Sequence, residues 1–245
     1  MQYQLPNGRV INITIEQYLS MSDNDIQYMI CTNAGESIHN PFTGSALDEN
    51  TTEKQEKILE VGTGCGVVAL MLAQKGNRVL AIDIHAPSVE EAQQNFSNSV
   101  FAPLLIADEI DFFKLQAPVK FDRIVSNPPF FQNSLQAPDE ARNAARHALN
   151  DWVKRFWERA HKLTGRVNVI IPVEVFDEWK RESELSNFFL VKKCEVFPRS
   201  DKPAIRFLLE YYRIEQPLEE SSLVLMNEDG TRTKEYSCFA EEFYL

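Results

Sequence analysis

Two short runs hold residues that could do chemistry. Positions 59–66, LEVGTGCG, set one carboxylate, Glu60, among three glycines, Gly62, Gly64 and Gly66, and open into an apolar run. Glycines allow a tight turn and let a ligand approach the backbone. An acid beside them suits a cationic, phosphate-free ligand better than a pyrophosphate. Dinucleotide folds want G-x-G-x-x-G, and here the third glycine comes one residue early. S-adenosylmethionine, with its sulfonium and ammonium, meets that description. Asp83, in AIDI, could accept hydrogen bonds from both ribose hydroxyls. That role is shared with dinucleotide folds, so Asp83 alone does not choose between the cofactors.

The second run, RIVSNPPFF at 123–131, ends in Asn127-Pro128-Pro129-Phe130. Proline fixes φ and removes N–H donors, and it pushes the preceding residue toward extended geometry. The result is a rigid corner rich in acceptors. The Asn127 side-chain oxygen and the Pro128 carbonyl can each accept one N–H of a planar amino group. That aims the nitrogen lone pair at a methyl donor without a strong base, so positioning governs the transfer. Phe130 can stack on a flat ring, worth roughly 1–3 kcal/mol per base.

These runs need a scaffold that brings strand ends together. From residue 57 on, the pattern alternates short apolar strands (KILEVG, RVLAIDI, PLLIA, FDRIVSN, GRVNVIIP) with helical stretches (GVVALMLAQKG, SVEEAQQNFSNS, DWVKRFWERAHKL, EVFDEWKRESEL). Ser88 is the expected N-cap of the second helix. FFLVKKCEVFP and IRFLLEYYRI are close enough to pair as a hairpin. This predicts an α/β fold, a doubly wound, mostly parallel seven-stranded sheet with one antiparallel strand from the C-terminal hairpin. Ligands of such sheets bind at the carboxyl ends of the strands. The fourth strand should lie beside the first, so the NPPF turn would face the glycine loop. Trp152 and Trp157 stand five residues apart on one helix and cannot share a side, so at least one is expected in the core.

The chain of 245 residues, 44% apolar, suits one domain with a small appendage. Residues 1–56 read as an atypical segment and linker, with a short strand and one or two helices in VINITIEQYLSMSDNDIQYMI. Residues 57–245 read as the catalytic domain. No apolar run is long enough for a membrane span, which points to the cytoplasm. Four scattered cysteines and a lone His39 suggest no metal site. The net charge is −11, yet residues 142–213 carry 15 basic against 10 acidic side chains. That stretch follows the NPPF corner directly. It is either a grip for a polyanion or a solvated helix face. Arg142, Arg146 and His147, and further on Lys202 and Arg206, are candidate phosphate contacts. His147 could instead be structural.

Together, ILEVGTGCGVVALMLAQ, FDRIVSNPPFF, DEARNAARH and the ending EEFYL resemble class I S-adenosylmethionine-dependent methyltransferases with an NPP[YF] motif, and among them the tRNA1(Val) (adenine-37-N6)-methyltransferase family. The resemblance covers about residues 57–245. It implies that Glu60, Gly62, Gly64 and Gly66 line the cofactor's methionine end, and that Asp83 with Ile84 holds the ribose side. It further implies that Asp111, or else Asp108, contacts the adenine end, and that Asn127, Pro128, Pro129 and Phe130 bind the target base. Phe130 stands where Tyr is commoner, which keeps stacking and removes a hydroxyl. The implied activity is N6-methylation of an adenine in tRNA by a monomer. Residues 1–50 do not match the family, whose usual segment there is rich in Lys, Gly, Thr and Asp. Alternatives are an N-methyltransferase acting on an rRNA guanine or a protein glutamine, and a non-catalytic cofactor- or RNA-binding protein.

Overall fold

The computed structural model describes residues 55–117, 120–128 and 139–240, together with two short antiparallel strands, β1 (Gln2–Gln4) and β2 (Val10–Asn12). The strand expected near Val10 is β2. The helices expected after it lie outside the described residues.

The remaining strands are β3 (Lys57–Val61), β4 (Arg78–Asp83), β5 (Leu105–Glu109), β6 (Arg123–Ser126), β7 (Arg166–Pro172), β8 (Phe189–Arg199), β9 (Arg206–Tyr212) and β10 (Glu219–Met226). They form one sheet in the order β10-β8-β9-β7-β6-β3-β4-β5. β3 and β7 are buried on both faces and mostly apolar, as strands covered on both sides must be, with Glu60 and Asn168 the polar exceptions inside them. β9 runs antiparallel to β7 and β8, and every other pairing is parallel. All seven expected strands are present, including the hairpin. The eighth, β10, adds to the β8 edge.

Among the described residues five helices cover the sheet: α1 (Val67–Gln74), α2 (Ala86–Ser97), α3 (Asp139–Leu163), α4 (Phe176–Leu185) and α5 (Lys234–Ala240). On one face, α1, α2 and α5 bury Ala69, Leu72, Ala92, Phe96 and Tyr236 against Ile58, Ala81, Val125 and Leu208. On the other, α3 and α4 bury Val153, Phe156, Trp157 and Trp179 against Leu59, Ile124, Val169 and Tyr211. Ser88 does not cap α2. His85 takes that place and Pro87 falls in the first turn, where a missing N–H costs nothing. Trp152 and Trp157, expected on different sides of α3, both join the cluster on the α3–α4 face and meet one partner, Trp179, at 6.0 and 5.8 Å between ring centroids, because their large rings reach around the helix.

The amino ends of the strands are tied by charge. Arg166 on β7 bonds Glu56 at 3.1 Å and Glu210 on β9 at 2.5 Å, and Arg123 on β6 holds Glu56 at 2.9 Å. Glu210 is fully buried, and removing one partner of such a pair typically costs 3–5 kcal/mol. The network keeps β6, β7 and β9 in register and leaves the carboxyl ends for the site. No helix among the described residues is long and apolar enough to cross a membrane.

Candidate active site

The site is built where β3, β4 and β6 end side by side. After β3 the chain turns through Gly62, Gly64 and Gly66, whose φ values are +80°, +54° and +83°. Only glycine adopts such angles without strain. The amides of Gly62 and Thr63 both donate to the Ile82 carbonyl, at 2.9 and 3.1 Å, which staples the loop to β4. Asn95, buried on α2, donates to the Cys65 carbonyl at 2.9 Å. A Cβ on Gly66 would lie 2.5 Å from the Phe96 ring, so α2 packs directly on the loop.

Glu60 is buried on β3 and accepts a 2.6 Å hydrogen bond from the Thr63 hydroxyl. A carboxylate held in this way is fixed in orientation before any ligand arrives. Asp83 ends β4. One of its oxygens accepts from the Gly64 amide and the other from the His85 amide, each at 3.0 Å. A carboxylate has about four lone-pair sites, so both oxygens keep capacity for a diol. Ile84, beside it, is 74% exposed and offers a bare apolar face.

The two acids considered for the adenine end differ. Asp111 caps the short 3-10 turn Phe112–Lys114. One of its oxygens accepts from the Phe113 amide at 2.9 Å, and the other pairs with Lys114 at 3.3 Å. Asp108 sits on β5 opposite Ile82, and no described residue bonds or pairs with its exposed carboxylate. Among the described residues, both Asp111 oxygens are thus engaged and both Asp108 oxygens are open.

β6 pairs with β3 so that Ser126 stands opposite Val61, and the Ser126 hydroxyl donates to the Val61 carbonyl at 2.9 Å. This carries Asn127 over the glycine loop. The Asn127 carbonyl oxygen lies 3.9 Å from where a Cβ on Gly62 would stand. Pro128 is buried beside it. Pro129 and Phe130 lie outside the described residues. Arg142, Arg146 and His147 fall within the first turns of α3, and their side chains are likewise outside the described set.

Much of the basic surplus of residues 142–213 is neutralised from outside the stretch. Lys192 pairs with Glu219, Lys193 with Glu220, and Arg166 with Glu56. Lys202 is exposed, 4.0 Å from Asp201. Arg206 begins β9 opposite Pro172, at the carboxyl edge of the sheet. Burial holds its guanidinium below its usual value, opposed by the charge of Glu174. Among the described residues no three His, Cys, Asp or Glu side chains come together as metal ligands.

Sequence reasoning brought out Glu60, the glycines, Asp83 and Asn127, and the structure gathers these at one sheet edge. It missed Thr63 and Asn95. Thr63 could have been found from its place three residues after Glu60 in the loop. Nothing local marks Asn95, whose contact is 30 residues away. The residues present suit an adenosyl sulfonium compound: a glycine loop without pyrophosphate spacing, a buried acid, and a carboxylate poised for a diol.

Comparison with known proteins agrees with this geometry. The Methyltransferase small domain family profile matches residues 43–152. A protein from Parabacteroides distasonis is 34% identical, over 80% of this chain and 85% of its own length. One from Actinobacillus pleuropneumoniae is 31% identical, over 78% and 83%. Both are named tRNA1(Val) (adenine(37)-N6)-methyltransferase. The fold matches a predicted O-methyltransferase from Agrobacterium tumefaciens with a TM-score of 0.62 at 14% identity, over 89% of this chain and 96% of that one. The chain thus belongs to the family of the tRNA1(Val) (adenine(37)-N6)-methyltransferases and is a class I S-adenosylmethionine-dependent methyltransferase.

Proposed function

We propose that the protein transfers a methyl group from S-adenosylmethionine to the exocyclic N6 amine of an adenine in tRNA, at position 37 of tRNA1(Val), in the cytoplasm. The observation that carries this reading is the closeness of the Asn127 corner to the Gly62 turn. It sets acceptors for an amino group against the loop suited to the cofactor. The names of the relatives supply the nucleic acid and the position.

When bound, the cofactor supplies an electrophilic methyl on a positively charged sulfur. Asn127 and Pro128 accept the two N–H groups and direct the lone pair. Transfer would form the N–C bond as the S–C bond breaks, with that electron pair left on sulfur and the surplus proton on nitrogen released to solvent. Phe130 stacks on the base. Extracting a base from a loop costs less than from a duplex. Thr63 holds Glu60, and Gly64 holds Asp83, so the cofactor side is ordered in advance. We assign this catalytic unit to residues 57–245.

The test is methyl transfer to tRNA lacking the mark, with mass analysis of nucleosides and mapping of the modified position. The wild-type chain should yield N6-methyladenosine at position 37. Asn127→Ala should lose nearly all transfer while still binding cofactor by calorimetry. Label entering only rRNA or protein would refute the assignment, as would full tRNA activity in Asn127→Ala.

A further inference from the structure

Among the described residues, Arg206 stands apart from the other cations at the carboxyl edge. Arg199 is engaged by both oxygens of Asp201, at 3.0 and 2.8 Å, and Lys202 lies exposed beside the same acid. Lys193 is covered, paired with Glu195 and Glu220 and seated over the Phe176 and Phe207 rings. Arg206 is half-buried, yet no described carboxylate makes an ion pair with it. Its one hydrogen bond among the described residues runs to the Ile205 carbonyl at 2.9 Å, and exposed Glu174 acts on it only from beyond ion-pair distance. A guanidinium has five donors, so most remain unused. Taking such a charge partly out of water without a partner is costly, and rule-breaking of this kind concentrates at functional sites.

The register gives its distance from the amine corner. Ser126 lies opposite Val169 on β7, and Val169 opposite Leu209 on β9. Arg206 is therefore two strands across from β6 and about two residues further out than Asn127. With strands about 4.8 Å apart and a rise of about 3.3 Å per residue, the two Cα positions are ~12 Å apart. One nucleotide, with its base amine at Asn127, spans that gap to an extended arginine side chain.

We infer that Arg206 binds a backbone phosphate of the nucleotide whose base enters the Asn127 corner. This rests on the proposed RNA substrate and narrows it. A planar fork on that phosphate would orient the flipped nucleotide, whereas exposed Lys202 could add only diffuse attraction. Arg206 therefore acts in substrate binding, and the cofactor site should not sense its loss.

The test compares the wild-type chain with Arg206→Gln and Arg206→Lys in steady-state transfer to unmodified tRNA. Arg206→Gln should raise KM for tRNA roughly 10- to 100-fold, the range of a lost charge-assisted hydrogen bond. Cofactor affinity by calorimetry should be unchanged, which also shows that the fold is intact. The slope of log KM against log salt should fall by about one. Arg206→Lys should fall between the two. In wild type, adenosine 5′- or 3′-monophosphate should inhibit better than adenosine, and Arg206→Gln should lose that preference. If wild type methylates tRNA but the variants keep its KM and salt slope, or if adenosine competes as well as both monophosphates, Arg206 is not the phosphate ligand. A wild-type chain inactive on tRNA refutes the substrate reading instead.

Discussion

Gly66→Ala is the sharpest probe of how the cofactor loop is held. The backbone there has φ +83°, which costs an L-residue roughly 1–2 kcal/mol. The added methyl would also stand 2.5 and 2.9 Å from two carbons of the Phe96 ring and 3.0 Å from the Ala92 Cβ. Phe96 is only 4% exposed and has no open side to turn into. Overpacking of that kind adds about 1–3 kcal/mol, so the full loss should be roughly 2–5 kcal/mol. Gly64→Ala is the internal control. It has φ +54° with nothing within 4 Å of the new methyl, so only the backbone cost of about 1–2 kcal/mol applies. Urea denaturation of the full chain measures both. Phe96→Leu in the Gly66→Ala background should recover part of the steric share and none of the backbone share, a coupling readable in a double-mutant cycle. Cofactor affinity should weaken in Gly66→Ala, because α2 also holds the loop through Asn95. If Gly66→Ala and Gly64→Ala cost the same, and Phe96→Leu is purely additive, the packing argument is wrong.

Two further outcomes are expected. Thr63→Val leaves the buried Glu60 carboxylate one donor short, a loss of about 1–3 kcal/mol. It should weaken cofactor binding in calorimetry more than it raises KM for tRNA, and equal effects on both would count against the orienting role. Cys194 is a second case. Burial pushes its thiol from 9.0 up to about 11, reinforced by the charges of Glu235 and Glu195. The folded chain thus keeps that proton more tightly than the unfolded chain. The resulting stability is whole below about pH 9 and is lost as pH rises to about 11, up to about 3 kcal/mol. Cys194→Ala should lack that part of the alkaline decline, and parallel curves of stability against pH for the two proteins would refute it.

How legible the molecule was from its sequence depends on the range of each interaction. β3 and β7 are mostly apolar, interrupted inside by Glu60 and Asn168 alone, so they are visible locally. β10 begins Glu219-Glu220-Ser221-Ser222, which reads as loop. That polarity is what an edge strand carries to resist pairing with another chain. Glu60, Gly62, Asp83 and Asn127 were readable because each sits at a strand end whose neighbours follow from the alternation of strands and helices. The difference in surroundings between Asp108 and Asp111 was not, because it lies in a cap and an ion pair that Asp111 makes two and three residues on. Charge was least legible. The surplus of residues 142–213 read equally as a grip for a polyanion or a solvated face, yet part of it is neutralised by Glu219 and Glu220, which reach Lys192 and Lys193 from 27 residues on through the parallel pairing of β8 and β10.

The meeting of the tryptophans has an optical consequence. The chain has three tryptophans, Trp152, Trp157 and Trp179, and all lie in one cluster. Its tryptophan fluorescence, excited selectively above the tyrosine band, therefore comes from a single spot on the α3–α4 face, with excitation shared among rings in contact. Phe113, whose amide Asp111 caps, touches Trp152 edge-on at 5.9 Å, and Arg155 lies 4.1 Å over the Phe113 ring. The emission is thus wired to the loop after β5, beside the cofactor's expected adenine end. Emission reports on that face of the sheet, while the α1–α2 face stays dark. An unlabelled titration can watch the cofactor arrive, and a mismatch between fluorescence and circular dichroism on unfolding would show the two faces parting company.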